Sequence, residues 1–319
     1  MSKIKSSKSY YKVKRLGEGT YATIYLAKEA VEETEGKKLV KIDPGENFNR
    51  MVAIKKIKKT EYGCGQEVNA IREIKSLKSV KHDFVLEMLD IFIHKNSLHL
   101  VLEYIDFNLE EIIKCKNIVI MPSDIKSWMF MLLSGLKAFH DNFYIHRDLK
   151  PNNLLIRKDG TLKIADFGLT RKISDQMTPN AVTRWYRAPE MLLGERQYTS
   201  LSDMWSVGLI FAELFLRVPL FAADTDIQQL DLICKALGTP RDSELFSKNA
   251  SMLNIKYYPP TNLHQLFTAA SEEAYDLLVA LLQFDPLKRI DVYDALNHKY
   301  FRTKPYATKI GALPVINRE

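Results

Sequence analysis

Apolar and polar positions alternate along the first hundred residues, then give way to a three-to-four-residue spacing. The segments YYKVKRLG and TYATIYLAK, within residues 10–28, predict two short strands joined by a glycine turn. MVAIKKI, residues 51–57, predicts a third strand, and further strands follow at 86–93 and 98–103. Within residues 66–80, Val68, Ile71, Ile74 and Leu77 recur every third position, which predicts an amphipathic helix with these residues on its apolar face. Residues 29–50 are polar and charged and carry Pro44 and Gly45. They predict a surface insertion between strands, either a passive loop or a partner-contact loop.

From residue 109 helical spacing dominates, with segments at 123–142, 200–216, 225–237, 272–284 and 292–298. Thr239-Pro240, Pro259-Pro260 and Asp285-Pro286 mark turns between them. The expected class is α+β: a strand-rich N-terminal part with one helix, a connector near 103–109, and a helix-rich C-terminal part. Residues 1–9 are expected to form a flexible N-terminus. The tail 302–319, with Pro305, Gly311 and Pro314, is expected to be weakly ordered.

Composition narrows this picture. The chain has 319 residues, 46% of them hydrophobic, enough for a large core shared by two domains or two lobes. With 27% charged residues it reads as a soluble globular protein. The longest apolar stretch, residues 207–221, is broken by Glu213 and Arg217. It is too short and too charged to span a membrane and predicts a buried helix. The N-terminal stretch MSKIKSSKSYYKVKR lacks the apolar core of a secretory signal. The net charge of +7 is scattered, without an arginine-rich arm, so it reads as an ordinary solvated surface and no direct nucleic-acid contact is expected. Cys64, Cys115 and Cys234 have no metal-ligand or CxxC spacing and read as thiols in a reducing compartment.

Four short patterns carry candidate chemistry. In LGEGTYATIYLA, Gly17 and Gly19 lie where a glycine loop brings backbone N–H groups close to phosphate oxygens, although a plain β-turn reads the same way. A strand follows these glycines, so the pattern is not a dinucleotide fingerprint. In VAIK, Lys55 ends a strand pattern, and Glu73 sits on the amphipathic helix. An ion pair between them would aim the ammonium at nucleotide phosphates. In IHRDLKPNNLLI, Asp148 would accept or orient a substrate hydroxyl proton, Lys150 would neutralise the transferring phosphoryl group, and Asn153 would ligate magnesium. In ADFGL, Asp166 would supply magnesium with a carboxylate, the hard oxygen ligand it prefers. TRWYRAPE and SDMWSVG follow.

The set GEGTYA, VAIK, HRDLKPNN, DFG and APE, in this order and spacing, resembles the protein kinase family over roughly residues 10–301. The resemblance implies a bilobal kinase fold, with an N-lobe over 10–104, a C-lobe over 105–301, and Mg2+-ATP held between them. The implied ATP-binding set is Leu16, Gly17, Glu18, Gly19, Thr20, Tyr21, Ala22, Thr23, Ile24, Ala53, Lys55, Glu73, Glu103, Tyr104 and Leu155. Leu16, Ile24, Ala53 and Leu155 would sandwich the adenine, Glu103 and Tyr104 would bond its edge through backbone groups, and Leu102 would be the gatekeeper. Glu190 and Arg289 would form a buried ion pair, whose one-sided loss costs about 3–5 kcal/mol.

The helix sequence NAIRE resembles the cyclin-contacting helix of cyclin-dependent kinases, and TRWYRAPE fits the same branch. No Thr-x-Tyr pair stands between 166 and 190, which disfavours the mitogen-activated group. KPNN, ATIYLA and LRVPLF look most like the branch that activates other cyclin-dependent kinases within the transcription factor TFIIH. This implies a cyclin H-type partner, a third assembly subunit, Ser/Thr-Pro substrates in RNA polymerase II repeats and in kinase activation loops, and a nuclear location. Thr178 aligns with an activating phosphosite, with Arg72, Arg147 and Arg171 placed to receive the phosphate. Thr20 and Tyr21 match inhibitory phosphosites, though aromatic loop tips are common in glycine loops without that role. Ala22 replaces the family's third glycine, and Asn108 stands where relatives place an acidic residue near the ribose. A cell-cycle cyclin-dependent kinase and an inactive cyclin-binding scaffold are the alternatives.

Overall fold

The computed structural model describes residues 8–19, 22–30, 48–58, 65–173, 183–240, 246 and 256–316, with backbone alone at 65–69. The chain divides into two compact units, Met1–Lys81 with Leu86–Ile105, and His82–Val85 with Asp106–Glu319.

The first unit is an antiparallel sheet of β1 (Tyr10–Glu18), β2 (Ala22–Ala30), β3 (Phe48–Ile57), β4 (Met88–His94) and β5 (Ser97–Glu103), in the order β1-β2-β3-β5-β4. Opposed residues in such a ladder share a face. Ala27, Val52, Ile54 and Val101 make a small core on one face, with Tyr10, Leu89 and Phe92 packed against it. The other face carries two cross-strand rows, Ile24–Lys55–Leu100 and Leu26–Ala53–Leu102. Lys55 is therefore held by register in the row next to Ala53.

The expected insertion at 29–50 is shorter than its polarity implied. β2 runs to Ala30 and β3 begins at Phe48. Glu29 opposes Arg50 in the ladder, and its buried carboxylate pairs with Arg50 at 2.6 Å and Lys8 at 2.7 Å. Charged residues thus extend the strands because their partners lie across the ladder. Residues 31–47 lie outside the described residues.

Helix α1 (Gly65–Ser79) forms as expected, but its inward face differs. Ala70, Glu73, Ser76 and Leu77 are buried, whereas Ile71 is 47% exposed and Ile74 half-buried. The face is rotated because it is set by the polar contact of Glu73 rather than by the isoleucines. Val68 lies among the residues whose side chains are not described.

The second unit is helical: α2 (Leu109–Lys114), α3 (Pro122–Asp141), α4 (Pro189–Leu192), α5 (Leu201–Leu216), α6 (Asp226–Leu237), α7 (Glu272–Leu281) and α8 (Val292–Asn297). Two small sheets join them, one of β6 (Phe107–Asn108), β8 (Leu154–Ile156) and β9 (Leu162–Ile164), the other of β7 (Tyr144–Ile145) and β10 (Arg171–Lys172). The core is built on α3, with Trp128, Leu132, Leu136 and Phe139 inward, and on α5, with Met204, Trp205, Ile210 and Phe211 inward. A Cβ on Gly208 would fall 2.8 Å from Leu282 Cδ2, so glycine lets α5 approach the end of α7. The apolar run 207–221 is a buried helix only as far as Leu216. Arg217 turns the chain at φ 62 and donates to the carbonyls of Ile112, Ile113, Cys115 and Ile118. Glu213 accepts from Tyr186 Oη at 2.6 Å. Among the described residues no helix is long and apolar enough to cross a membrane.

Two expectations about boundaries change. His82–Val85, placed by sequence within the N-terminal part, belongs to the second unit. Ile164 N donates to Phe84 O at 2.9 Å, and a Cβ on Gly135 would lie 2.8 Å from that same oxygen. The backbone of α3 leaves room for this segment only because residue 135 has no side chain. The tail is also better ordered than its prolines and glycines imply. Lys126 Nζ donates to Thr303 O, Ser127 Oγ to Thr308 O, and Thr308 Oγ1 to Asp124 Oδ1, all at 2.6–2.7 Å. Gly311 N donates to Asp159 O at 2.7 Å, and Leu313 is buried against Gly160, where a Cβ would collide with the leucine side chain, so glycine at a φ of 83 is what leaves room for it. Hydrogen bonds to α3 and one apolar anchor hold a segment that composition alone reads as loose.

Leu313→Ala is expected to cost about 2–5 kcal/mol, the usual penalty of a large-to-small change at a buried site. Urea denaturation followed by tryptophan fluorescence checks it. An unchanged midpoint and slope would show that the tail does not pack in solution.

Candidate active site

In the first unit, residues from three elements meet. Lys55 Nζ on β3 lies 2.7 Å from Glu73 Oε1 on α1, with the two side chains 13% and 3% exposed. A pair so shielded from water holds its geometry better than a surface pair. At the β1–β2 turn, Gly17 opposes Ile24 and Glu18 opposes Thr23, and Gly19 N donates to Ala22 O at 2.9 Å. A Cβ on Gly17 would meet no atom within 4 Å. The fold does not demand glycine there; what glycine provides is an unobstructed backbone that a ligand can approach. Leu16 and Ile24 are exposed apolar side chains flanking this turn. Glu18 pairs with Arg15 and Lys58. Thr20 and Tyr21 lie outside the described residues. Glu103 N donates to Glu87 O, and Glu103 Oε1 accepts from Glu87 N, which fixes the end of β5 just before Tyr104. Leu102 sits in the row with Ala53.

In the second unit, the site is a loop organised by one carboxylate. Asp203, on the first turn of α5, is fully buried. It accepts from His146 N and Arg147 N at 2.9 Å and from His140 Nε2 at 3.0 Å. Burial alone would raise its pKa, but the His140 hydrogen bond, the nearby His140 and His146 rings and the Arg147 amide together hold it below the ordinary aspartate value. Arg147 takes a left-handed φ of 68, strain that these bonds offset. His146 Nδ1 accepts from Asp148 N at 3.2 Å, so its Nε2 carries the proton donated to Ala165 O at 3.0 Å. Its ring also packs edge-on against Phe167, which stacks on Phe139 at 4.7 Å. One imidazole thus joins the turn before Asp148 to the residue before Asp166.

Asp148 is surrounded by donors. Oδ2 receives Lys150 Nζ and Asn153 Nδ2, both at 2.9 Å. Oδ1 receives Thr183 N at 3.1 Å and Thr183 Oγ1 at 3.2 Å. Lys150 Nζ also donates to Thr183 Oγ1 at 2.8 Å. The Asn153 amide is fixed a second time by the Asp148 carbonyl at 2.8 Å, so its nitrogen is committed and its oxygen is the atom left for a cation. Ala165 N donates to Asn153 O at 2.9 Å, tying the Asn153 turn to the strand end carrying Asp166. Asp166 is exposed at φ 60, while its neighbour Phe167 is buried. Leu155 is half-buried on β8 between the buried Leu154 and Ile156.

Among the described residues no cluster of three or more His, Cys, Asp or Glu could hold a metal by itself. Magnesium does not need one, because it is typically held by one or two protein oxygens plus substrate phosphates and water. The Asn153 amide oxygen and the Asp166 carboxylate are hard donors of that kind and fit it.

Sequence reading left several residues of this site without a role. Thr183 lies in TRWYRAPE and Asp203 in SDMWSVG, but neither position alone signals a contact with residues 146–148. The expected Glu190–Arg289 pair forms, bidentate at 2.8 and 3.0 Å and buried, with Arg289 Cζ 5.3 Å from the Trp205 ring centroid. Arg147 donates to Leu169 O at 2.7 Å and Tyr198 Oη at 2.9 Å. Arg171 pairs with Ile145 across β10 and β7, two residues from Arg147. Thr178 lies outside the described residues.

The chain matches the protein kinase domain family over residues 10–301. It is 53% identical over 311 residues to the probable serine/threonine-protein kinase KIN28 homolog of Encephalitozoon cuniculi, covering 97% of this chain and 100% of that protein. It is 45% identical over 309 residues to cyclin-dependent kinase 7 of Dictyostelium discoideum, covering 94% of this chain and 81% of that one. Its structure resembles a chain of the CAK complex from Chaetomium thermophilum bound to ATP-γ-S, with a TM-score of 0.82, 40% identity, and coverage of 96% and 94%.

Because the folded-state pKa of Asp203 is depressed, its ionised form adds stability above the ordinary aspartate range. That contribution fades as pH falls through this range toward the folded value. Asp203→Asn is therefore expected to destabilise the protein at neutral pH and to flatten the acid limb of its stability profile. Thermal melts from neutral pH down through the ordinary aspartate range, to about pH 3, measure this. Parallel limbs for the two proteins would refute the role given to the ionised carboxylate.

Proposed function

This chain belongs to the protein kinase family, and we propose that it is the catalytic subunit of a cyclin-dependent serine/threonine kinase of the CDK-activating type. Its phosphoryl donor is ATP, with Mg2+ as the cofactor; its acceptors are Ser/Thr-Pro sites in RNA polymerase II C-terminal repeats and in activation loops of other cyclin-dependent kinases. The observation that carries the reading is the carboxylate of Asp148, held between Lys150, Asn153 and Thr183. In this arrangement Asp148 orients the acceptor hydroxyl and takes its proton, and the Lys150 ammonium faces the charge that develops on the transferring group. Lys55, fixed by Glu73, holds the α- and β-phosphates. Leu16, Ile24, Ala53 and Leu155 pack the adenine, and the backbone at Glu103 and Tyr104 reads its edge. Asn153 and Asp166 hold magnesium, which when bound neutralises phosphate charge.

A preassembled Lys55–Glu73 pair together with an intact Asp148–Asn153 bond favours an active enzyme over an inert scaffold. A cyclin, of the H type by sequence resemblance, is supported by α1, where Ile71 is turned away from its own unit. The similarity to a cyclin-dependent kinase 7 and to a chain of a CAK complex points the same way. A third assembly subunit, association with TFIIH and a nuclear location belong to this reading. Phosphorylation of Thr178 would recruit Arg72, Arg147 and Arg171, and the β7–β10 pairing supports the proximity of the last two.

With a cyclin partner added, the chain is expected to phosphorylate a polymerase heptad peptide and an unphosphorylated cyclin-dependent kinase in preference to a histone-type Ser-Pro-x-Lys peptide. The reverse preference would identify a cell-cycle kinase, and no transfer with any cyclin would leave only the scaffold. Asp148→Asn should lower kcat by about 10²–10⁴ with ATP affinity retained. Near-normal turnover in single-turnover assays would remove Asp148 from its role.

A further inference from the structure

The face of the N-terminal sheet opposite Lys55 carries basic groups that phosphotransfer does not use. Strand alternation turns Lys56 onto that face, because Lys55 points to the other. The register there sets Thr23, Lys56, His99 and Phe92 side by side across β2, β3, β5 and β4. The Phe92 ring stacks on His99 at 5.0 Å and on Tyr10 at 5.7 Å. From β1, Lys12 Nζ lies 3.8 Å from the centroid of the Tyr25 ring. At the β4–β5 turn Lys95 and Asn96 are both left-handed, at φ 47 and 56, as a tight hairpin requires. The turn sets the His94 ring edge-on to His99, with centroids 6.1 Å apart.

This face is divided electrostatically. At one end the charges are matched: Glu29 pairs with Lys8 and Arg50, and Asp90 accepts from Tyr10 Oη. At the other end, among the described residues, Lys12, Lys56 and His94 have no carboxylate partner. Lys12 and His94 are exposed and Lys56 is half-buried, so all three reach solvent. The aromatic face under Lys12 holds its ammonium without neutralising it. His99 is buried behind them, its Nδ1 donating to Ser97 O at 3.0 Å. Burial lowers the His99 pKa, and Lys12, Lys56 and the His94 ring lower it further, against the Ser97 hydrogen bond. That all three act on one imidazole places them around a common point.

We infer that this end of the sheet face binds the phosphate of a phosphorylated serine or threonine on a partner or substrate chain, with Lys12, Lys56 and His94 as its ligands and His99 as the buried support beneath them. A phosphomonoester brings nearly two negative charges and several acceptor oxygens, which suits three separate basic groups. A carboxylate brings a single charge. A metal ion is a poor match, since two ammonium groups flank the imidazoles and no cluster of three ligands forms among the described residues. A nucleic acid continuing along the face would next meet the carboxylates of Asp90 and Glu29.

The test uses the full chain with isotope-labelled histidines and a short peptide carrying one phosphoserine. The unphosphorylated peptide, its glutamate version, inorganic phosphate and oligothymidylate are the comparisons. Affinity is read by isothermal titration, and the titration midpoints of His94 and His99 by NMR. The phosphopeptide is expected to bind saturably, more tightly than the unphosphorylated and glutamate peptides, and more weakly as salt is added. A bound anion favours the protonated imidazole, so both histidine midpoints should rise. Lys12→Gln and Lys56→Gln should each weaken the phosphopeptide about threefold to tenfold, and the double variant more. Neither should lower the melting temperature of the free protein, since each removes one of several like charges. Inorganic phosphate binding as tightly as the peptide would assign the same site to a free anion. Unchanged affinity in the double variant, unmoved histidine midpoints, or a preference for oligothymidylate would each overturn the proposal. Lys55, Glu73 and Asp148 stay intact in every variant and ATP turnover is not read, so the outcome is independent of the kinase reading.

Discussion

A carboxylate sealed away from water has to find its donors inside the protein, and Asp203 is where that requirement shapes the rest. It collects two consecutive backbone amides, His146 and Arg147, and the ring of His140. Backbone amides of neighbouring residues point at one acceptor only if the chain between them bends, and here Arg147 adopts a left-handed conformation. That bend fixes the direction in which Asp148 leaves the loop. The order of causes therefore runs from a helix core to the chemistry. α5 is rigid because it is apolar and buried, Asp203 rides on its first turn, and the loop folds around Asp203.

The same logic recurs wherever this unit buries charge. Glu190 meets Arg289 bidentately, and Arg289 spends its other donors on the carbonyls of Leu201, Gln283 and Phe284. Arg217 closes the end of α5 by collecting four carbonyls near the end of α2. Glu213 takes the hydroxyl of Tyr186, and burial holds its carboxyl above the usual range while raising the tyrosine as well. In each case a group that is costly to desolvate is placed where leaving it unpaired would cost more, so each fixes a single arrangement of the segments it joins. Apolar packing around α3 and α5 gives the unit its stability, and these polar links decide which loop lies where.

This division explains what the chain discloses as a string. Asp148, Lys150 and Asn153 stand in one short pattern whose chemistry is local, so their meeting could be read from residue types and spacing. Strands and long helices were legible because their periodicity is local too. The inward face of α1 was not: Ile71 and Ile74 gave the apolar signal, yet Glu73 faces inward because Lys55 waits on β3. Thr183 and Asp203 gave no signal because their partners are far away in sequence. The tail misled by composition, since prolines and glycines describe a segment without showing that Ser127 and Asp124 on α3 will bind it.

The contrast between Lys55 and Lys126 carries this argument one step further. Both are shielded lysines within one chain, but Lys55 meets a carboxylate at 2.7 Å and Lys126 meets a carbonyl and an aromatic face. A carbonyl dipole and a ring quadrupole solvate an ammonium without neutralising it. Lys55 is thus anchored by a full counter-charge, which fixes the position of its ammonium before any phosphate arrives. Lys126 has no such counter-charge among the described residues, and the hydroxyl of the buried Tyr300 beside it has no hydrogen-bond partner. The two positions differ in what the protein itself already supplies: at Lys55 the charge is balanced and the geometry set, and at Lys126 the geometry is set while the charge is not.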